Sequence, residues 1–267
     1  AQNFNSEVPY EAWREPEFRF GSFTTMGELI IKTESKRRRI SNYVRSLDID
    51  CAVATVSYDE SGTSYTRKTF VSYPDNVMAI RFSADKPGKQ NLTLSYTPNP
   101  CSSGKIKKDG PVGIAYYGQL DNNGMEYVVR VKAIAEQGEV TVEDGNIIVK
   151  EADAVIFLVT ADTDYEPNYD PSFTDEKAYV GNHPKTTTDL WMKNALKKTY
   201  YTLINRHVKD YQSLYNRVEI DLGGETPNLP TDKRLEAYRN GAVDHKLEEL
   251  YFQYGRYLLI ASSRPGN

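Results

Sequence analysis

The residues best placed to do chemistry are carboxylates. Asp48 and Asp50 lie two apart, and so do Asp162 and Asp164, which stand beside Tyr165 and Tyr169. Paired carboxyl groups cleave glycosidic bonds when they stand on opposite sides of the sugar, roughly 5–5.5 Å apart for retention or 6.5–9.5 Å for inversion. Side chains two apart in a strand leave from the same face, so neither pair can flank a bond. Both read as acids of turns or strand edges. A second constellation is the aromatic and polar stretch holding Asp164, Tyr165, Asn168, Tyr169, Asp170, Phe173 and Tyr179. Aromatic rings stack on the apolar faces of sugars while carboxylates and amides bind hydroxyls. That makes Asp164, Tyr165 and Tyr169 candidate substrate-binding residues. The same rings could equally wedge sheets against helices as plain packing, and both readings stand.

Other chemistries find little support. Cys51 and Cys101 sit in unrelated contexts, neither in a C-x-x-C pair, and read as unpaired structural residues. His183, His207 and His245 are isolated from one another in sequence, so no metal set forms. His207 sits between Arg206 and Lys209 in a Tyr-rich helical stretch and reads as a packing or surface residue. No G-x-S-x-G elbow or phosphate loop occurs, and Gly223-Gly224 reads as a turn. Asn91-Leu92-Thr93 is a chance glycosylation match inside a strand pattern. No residue is assigned to catalysis, to a cofactor or to a metal.

The chain has 267 residues, with 33 Lys+Arg against 37 Asp+Glu, a formal charge of −4. That balance gives no electrostatic case for nucleic acid or an anionic membrane as partner. Lys36-Arg37-Arg38-Arg39 is the densest basic run, and it leads straight into a strand pattern, as edge protection does. No apolar run approaches 18 residues.

The elements that must position these groups come in two characters. From about residue 17 to 161 the apolar period is two. Phe18 and Phe20 alternate with Arg19 and Gly21, and Cys51, Val53 and Thr55 alternate with Ala52, Ala54 and Val56. Strands are expected at 40–47, 52–58, Thr63–Ser72, Val77–Ala84, 91–96, 114–120, 125–137, 139–142, 147–150 and 154–161, with a loop over 98–113. About ten strands joined by short polar turns call for antiparallel sheets stacked face to face. Residues 162–185 then form a connecting loop with no period. Thr186-Thr187-Thr188-Asp189 offers an N-cap region for a long helix over 188–216. A short strand is expected at 218–222, a short helix from Thr231-Asp232 to Tyr238, and a last helix over 244–262. In that last helix Leu247, Leu250, Tyr251, Tyr254, Leu258 and Ala261 make one stripe, while Phe252, Tyr257, Leu259 and Ile260 add apolar residues on other sides. A helix apolar nearly all round is normally buried on all sides.

Several segments together resemble the N-terminal domain of glycoside hydrolase family 95. They are Thr25-Met26-Gly27-Glu28-Leu29, the run from Ser46-Leu47-Asp48 to Thr55-Val56, Phe70-Val71-Ser72-Tyr73-Pro74-Asp75-Asn76-Val77, and Ser83-Ala84-Asp85-Lys86-Pro87-Gly88. Leu229-Pro230-Thr231-Asp232-Lys233-Arg234-Leu235 and the end from Leu250-Tyr251-Phe252-Gln253-Tyr254-Gly255-Arg256 to Ser263-Arg264-Pro265-Gly266 continue the match in order. Thr163-Asp164-Tyr165-Glu166-Pro167-Asn168-Tyr169 resembles members from gut-type Bacteroidetes. The resemblance implies an exo-acting, inverting alpha-L-fucosidase, chiefly for α-1,2-linked fucose, with α-L-galactose preferred by some members. It also implies an N-terminal β-super-sandwich, a helical linker, an α/α barrel that carries every catalytic residue, and a periplasmic or secreted full-length protein.

The expectation is therefore a mainly β chain with C-terminal α structure. Residues 1–161 are a β-sandwich lacking its first strands, 162–185 an aromatic loop, 186–243 a helical linker, and 244–267 the first helix of an α/α barrel. Residue 1 is Ala with no signal peptide before it, and the chain closes on Arg264-Pro265-Gly266-Asn267, an unfinished loop. This reads as an inactive piece whose parent takes a glycan substrate and whose barrel is its intramolecular partner. A stand-alone carbohydrate-binding or scaffolding module is the alternative from another class. Sandwich-plus-barrel phosphorylases share the implied architecture, and the Ala-Ser-Ser-Arg-Pro-Gly ending weighs against them.

Overall fold

The computed structural model describes residues 24–33, 39–121, 123–166 and 181–264. Twelve strands run β1 (Gly27–Thr33), β2 (Ile40–Asp48), β3 (Val53–Glu60), β4 (Thr63–Ser72), β5 (Val77–Ala84), β6 (Gln90–Pro98), β7 (Ser102–Lys108), β8 (Gly113–Leu120), β9 (Glu126–Glu136), β10 (Glu139–Glu143), β11 (Asn146–Ala152) and β12 (Ala154–Thr163). Four helices follow: α1 (Lys185–Ala195), α2 (Tyr200–Tyr215), α3 (Thr231–Arg239) and α4 (His245–Ser262). The fold is mainly β with C-terminal helices, as expected.

The strands form two antiparallel sheets, a small one in the order β1-β6-β11-β10 and a large one in the order β2-β3-β4-β5-β12-β9-β8-β7. Alternation decides which side chains meet between them. Leu92, Leu94 and Tyr96 of β6 and Ile147 and Val149 of β11 face Ile80, Phe82, Val129, Val131, Val155 and Phe157 of the large sheet. The opposite face of the large sheet takes the first two helices. Phe70, Val77, Ala79, Ile156 and Leu158 pack there against Met192, Ala195, Tyr200 and Leu203.

Four local expectations are corrected. The expected loop over 98–113 contains a strand, β7, whose Ser, Gly and Lys content hid it. It lies at the edge of the large sheet, where lysines guard an open edge, and Gly104 gives room to the carbonyl of Tyr117 and the ring of Tyr116. The single helix over 188–216 is two helices. The Thr199 hydroxyl accepts the Thr202 N–H at 3.2 Å and starts α2 afresh. Helix α1 begins at Lys185 with no side-chain cap, and the Thr188 hydroxyl donates back to the Pro184 carbonyl at 2.9 Å. The segment 218–222 is no strand, because its partners are side chains of α4. Arg256 donates to the Val218 carbonyl at 2.9 Å, and Glu249 accepts the Leu222 N–H at 2.5 Å.

The expected strand around Phe18 and Phe20, and the basic run apart from Arg39, lie outside the described residues. Both cysteines are free. Among the described residues, no helix is long and apolar enough to cross a membrane.

Candidate functional site

The aromatic stretch leaves the large sheet at the end of β12. There the candidate Asp164 is fixed rather than free. Its side chain is 5% exposed, and its Oδ1 accepts the Glu126 N–H at 2.9 Å. Its own N–H returns to the Glu126 carbonyl at 3.0 Å. The chain comes back at Gly181, where any side chain would collide with the backbone of Asp164. Asp164 and Gly181 therefore meet at one point, on a stem locked to β9. Tyr165 begins the excursion half exposed, its N–H donating to the Thr163 hydroxyl at 3.2 Å. Tyr169 lies outside the described residues.

Both acid pairs are engaged with nearby backbone N–H groups. Asp162 and Asp164 follow one another at the stem. Burial pushes the Asp162 carboxyl above its usual range, although the Thr163 N–H donates to it at 2.9 Å. Asp48 ends β2, whereas Asp50 lies in the turn beyond it, so the two do not share a strand face. Asp48 Oδ1 accepts the N–H groups of Asp50 and Cys51 at 3.0 and 3.1 Å, the pattern of an Asx turn. Asp48, Asp50 and Cys51 do gather potential metal-ligand atoms within 4.8 Å. Gln212 donates to Asp50 Oδ2 at 3.0 Å, so a donor already occupies the cluster.

What the sequence did not disclose is how the helices are clamped to the sandwich. Arg130 on β9 is 2% exposed. Its guanidinium meets Asp109 at 2.7 Å and Asp189 of α1 at 2.6 Å. Burial alone would raise the Asp109 pKa, but Arg130 and Lys132 outweigh it and hold the carboxyl below its usual range. Asp75, in the turn after β4, accepts from Arg206 at 3.0 Å, Lys198 at 3.2 Å and the Ser72 hydroxyl at 2.8 Å. His207 is 4% exposed and stacks on Phe70 at 5.0 Å. Its Nε2 lies 3.0 and 3.1 Å from the carbonyls of Cys51 and Ala52. Each clamp joins residues far apart in sequence, and no local pattern announces such a pair.

Helix α4 rides on α2. Arg256 donates to the Tyr215 carbonyl at 2.7 Å and lies over the Tyr215 ring. Arg264, just past the helix, pairs with Asp210 at 2.8 Å. The outward side is bare: Tyr251 is 82% exposed, and Phe252, Tyr254, Leu258 and Leu259 are exposed with it.

Comparison with known proteins adds to this geometry. Residues 2–168 match the family model "Glycosyl hydrolase family 65, N-terminal domain", and residues 199–267 match "Glycosyl hydrolase family 95 catalytic domain". "Probable alpha-fucosidase A" of Aspergillus niger is 33% identical, over 93% of this chain and 32% of its own length. "Alpha-L-fucosidase 2" of Arabidopsis thaliana is 30% identical, over 91% of this chain and 32% of its own length. A solved human-microbiome chain carrying the name kojibiose phosphorylase is 12% identical, with a TM-score of 0.49 over 70% of this chain and 27% of its own. The chain thus spans about a third of the length of the curated relatives it matches. Over most of its length it belongs to the family of glycosyl hydrolase family 65 N-terminal domains.

Proposed function

We propose that this chain is the non-catalytic N-terminal portion of an exo-acting, inverting glycoside hydrolase of the alpha-L-fucosidase type. Its substrates would be glycans ending in α-1,2-linked fucose or α-L-galactose, met by a periplasmic or secreted full-length protein. The observation that carries the reading is α4. It falls in the segment that matches a catalytic domain, and it turns an uncharged face of Tyr251, Phe252, Leu258 and Leu259 to solvent. An apolar patch on a surface helix marks a contact surface, and the remainder of the catalytic domain is the partner this face fits. In this division residues 1–161 are the sandwich, 162–185 the aromatic loop, 186–243 the linker and 244–267 the start of the barrel. Two relatives named as fucosidases support the sugar. Release of L-fucose from a 2′-fucosyl glycan tests the reading, and purified 1–267 is expected to release none.

The locked stem at Asp164 supports a second reading, a stand-alone carbohydrate-binding module that uses Tyr165 and Tyr169. Asp164 holds the loop and the tyrosines meet the sugar. Glycan-array binding that disappears in Tyr165→Ala and Tyr169→Ala supports it, and an array with no bound glycan contradicts it.

A further inference from the structure

A cavity of about 420 Å³ opens between the ends of β3 and β4, helix α2 and the last turns of α4. The volume falls within the roughly 300–1,000 Å³ of ordinary ligand pockets. None of its described lining residues belongs to the loop that starts at Tyr165. Three tyrosines, Tyr73, Tyr211 and Tyr257, line it together with the aliphatic Val71 and Ile260. Asn76 after β4, Arg264 after α4 and His207 on α2 bring polar groups from three different elements, beside Thr69, Ser72 and Ser262.

His207 is the informative one. Its Nε2 faces two backbone carbonyls, and a carbonyl can only accept. Nε2 must therefore carry the hydrogen, which fixes the tautomer and leaves Nδ1 as the acceptor. Burial holds the imidazole pKa below its usual value, so the ring stays neutral near pH 7. Among the described residues Nδ1 finds no donor, yet the atom is not sealed from solvent. A side chain 4% exposed thus keeps one accessible acceptor on a ring that lines the cavity.

We propose that this cavity is a binding site for a neutral monosaccharide, held against Tyr73 and Tyr257, with Arg264 and Asn76 as donors and His207 Nδ1 as acceptor. The mixture is what a sugar ring needs: apolar wall for its C–H face, and separated donors and acceptors for its hydroxyls. A neutral ligand follows from charge. Arg264 is already paired with Asp210 at 2.8 Å and stacked 4.5 Å over the Tyr73 ring, so it offers hydrogen bonds without a free charge. A purely apolar ligand would leave His207 Nδ1 and Asn76 unanswered.

The test uses purified 1–267 with L-fucose, D-galactose and, as an apolar ring of similar size, cyclohexanol. Calorimetry is expected to show saturable binding of at least one sugar at about millimolar Kd, with cyclohexanol weaker. Tyr73→Ala and Arg264→Met are each expected to weaken it about tenfold, while Tyr201→Ala, an exposed tyrosine of α2 outside the cavity, leaves it unchanged. The ¹⁵N resonance of His207 Nδ1 in the unaltered protein is a second readout that needs no variant, and it is expected to shift as the sugar saturates. No saturation by either sugar, tighter binding of cyclohexanol, or an Nδ1 resonance that stays put overturns the site. None of these outcomes bears on the fucosidase reading, which is decided by fucose release.

Discussion

Asp164 and Glu126 are tied twice: the Asp164 carboxylate accepts the Glu126 N–H at 2.9 Å, and the Asp164 N–H donates to the Glu126 carbonyl at 3.0 Å. A residue that looks like a sugar ligand in sequence is thereby a stem residue. Asp164→Ala leaves a part-buried N–H without its acceptor, a loss of about 1 kcal/mol. Gly181→Ala drives a methyl group into the Asp164 backbone and is expected to cost a similar amount. Urea denaturation checks both. Wild-type stability in either variant contradicts the lock.

Arg130 is a single guanidinium shared by the sandwich and α1. Arg130→Met leaves Asp109 with Lys132 alone, at 3.1 Å, and Asp189 with Lys185 alone. The expected loss is about 3 kcal/mol, the low end for a broken buried pair because Asp189 also faces water. Arg130→Lys is expected to recover little, since an ammonium cannot span both carboxylates as the planar fork does. A lysine variant that melts with the wild type sinks this account of the clamp.

His207 sets a pH dependence. Burial lowers its folded pKa below the unfolded value of about 6.5. The folded state thus binds fewer protons than the unfolded one. Its contribution is present above about pH 6.5 and is lost as pH falls through the lowered folded value. Thermal unfolding between pH 7.5 and 5 is expected to show a loss of stability that is smaller in His207→Gln. Identical pH profiles for the two proteins rule the imidazole out as the cause.

The outward face of α4 is solvent-exposed rather than packed. Leu258→Ser with Leu259→Ser is therefore expected to change stability by no more than about 0.5 kcal/mol per site, while reducing hydrophobic-dye binding. A loss of several kcal/mol means that the face is packed within this chain.

Strand positions were largely legible, because alternation in segments such as Val77–Ala84 and Thr63–Ser72 carries its own period and turn residues bound it. Strand β7 was not, since an edge strand needs one neighbour and no apolar face. The break between α1 and α2 was hidden because Thr199 acts through a hydroxyl that reads as ordinary helix surface. The hydrogen bonds of Asp164 to Glu126 were hidden for a related reason: a carboxylate beside tyrosines looks the same whether it binds a hydroxyl or a backbone N–H. The apolar character of α4 was plain in sequence, and its bare outer face followed.

The central claim is that this chain builds and braces a glycoside hydrolase without carrying its catalytic groups. Release of L-fucose from a 2′-fucosyl glycan by purified 1–267 measures it directly. The account predicts no release above the protein-free control at any enzyme concentration. Release that scales with the amount of this chain and turns over more than once per molecule would contradict it.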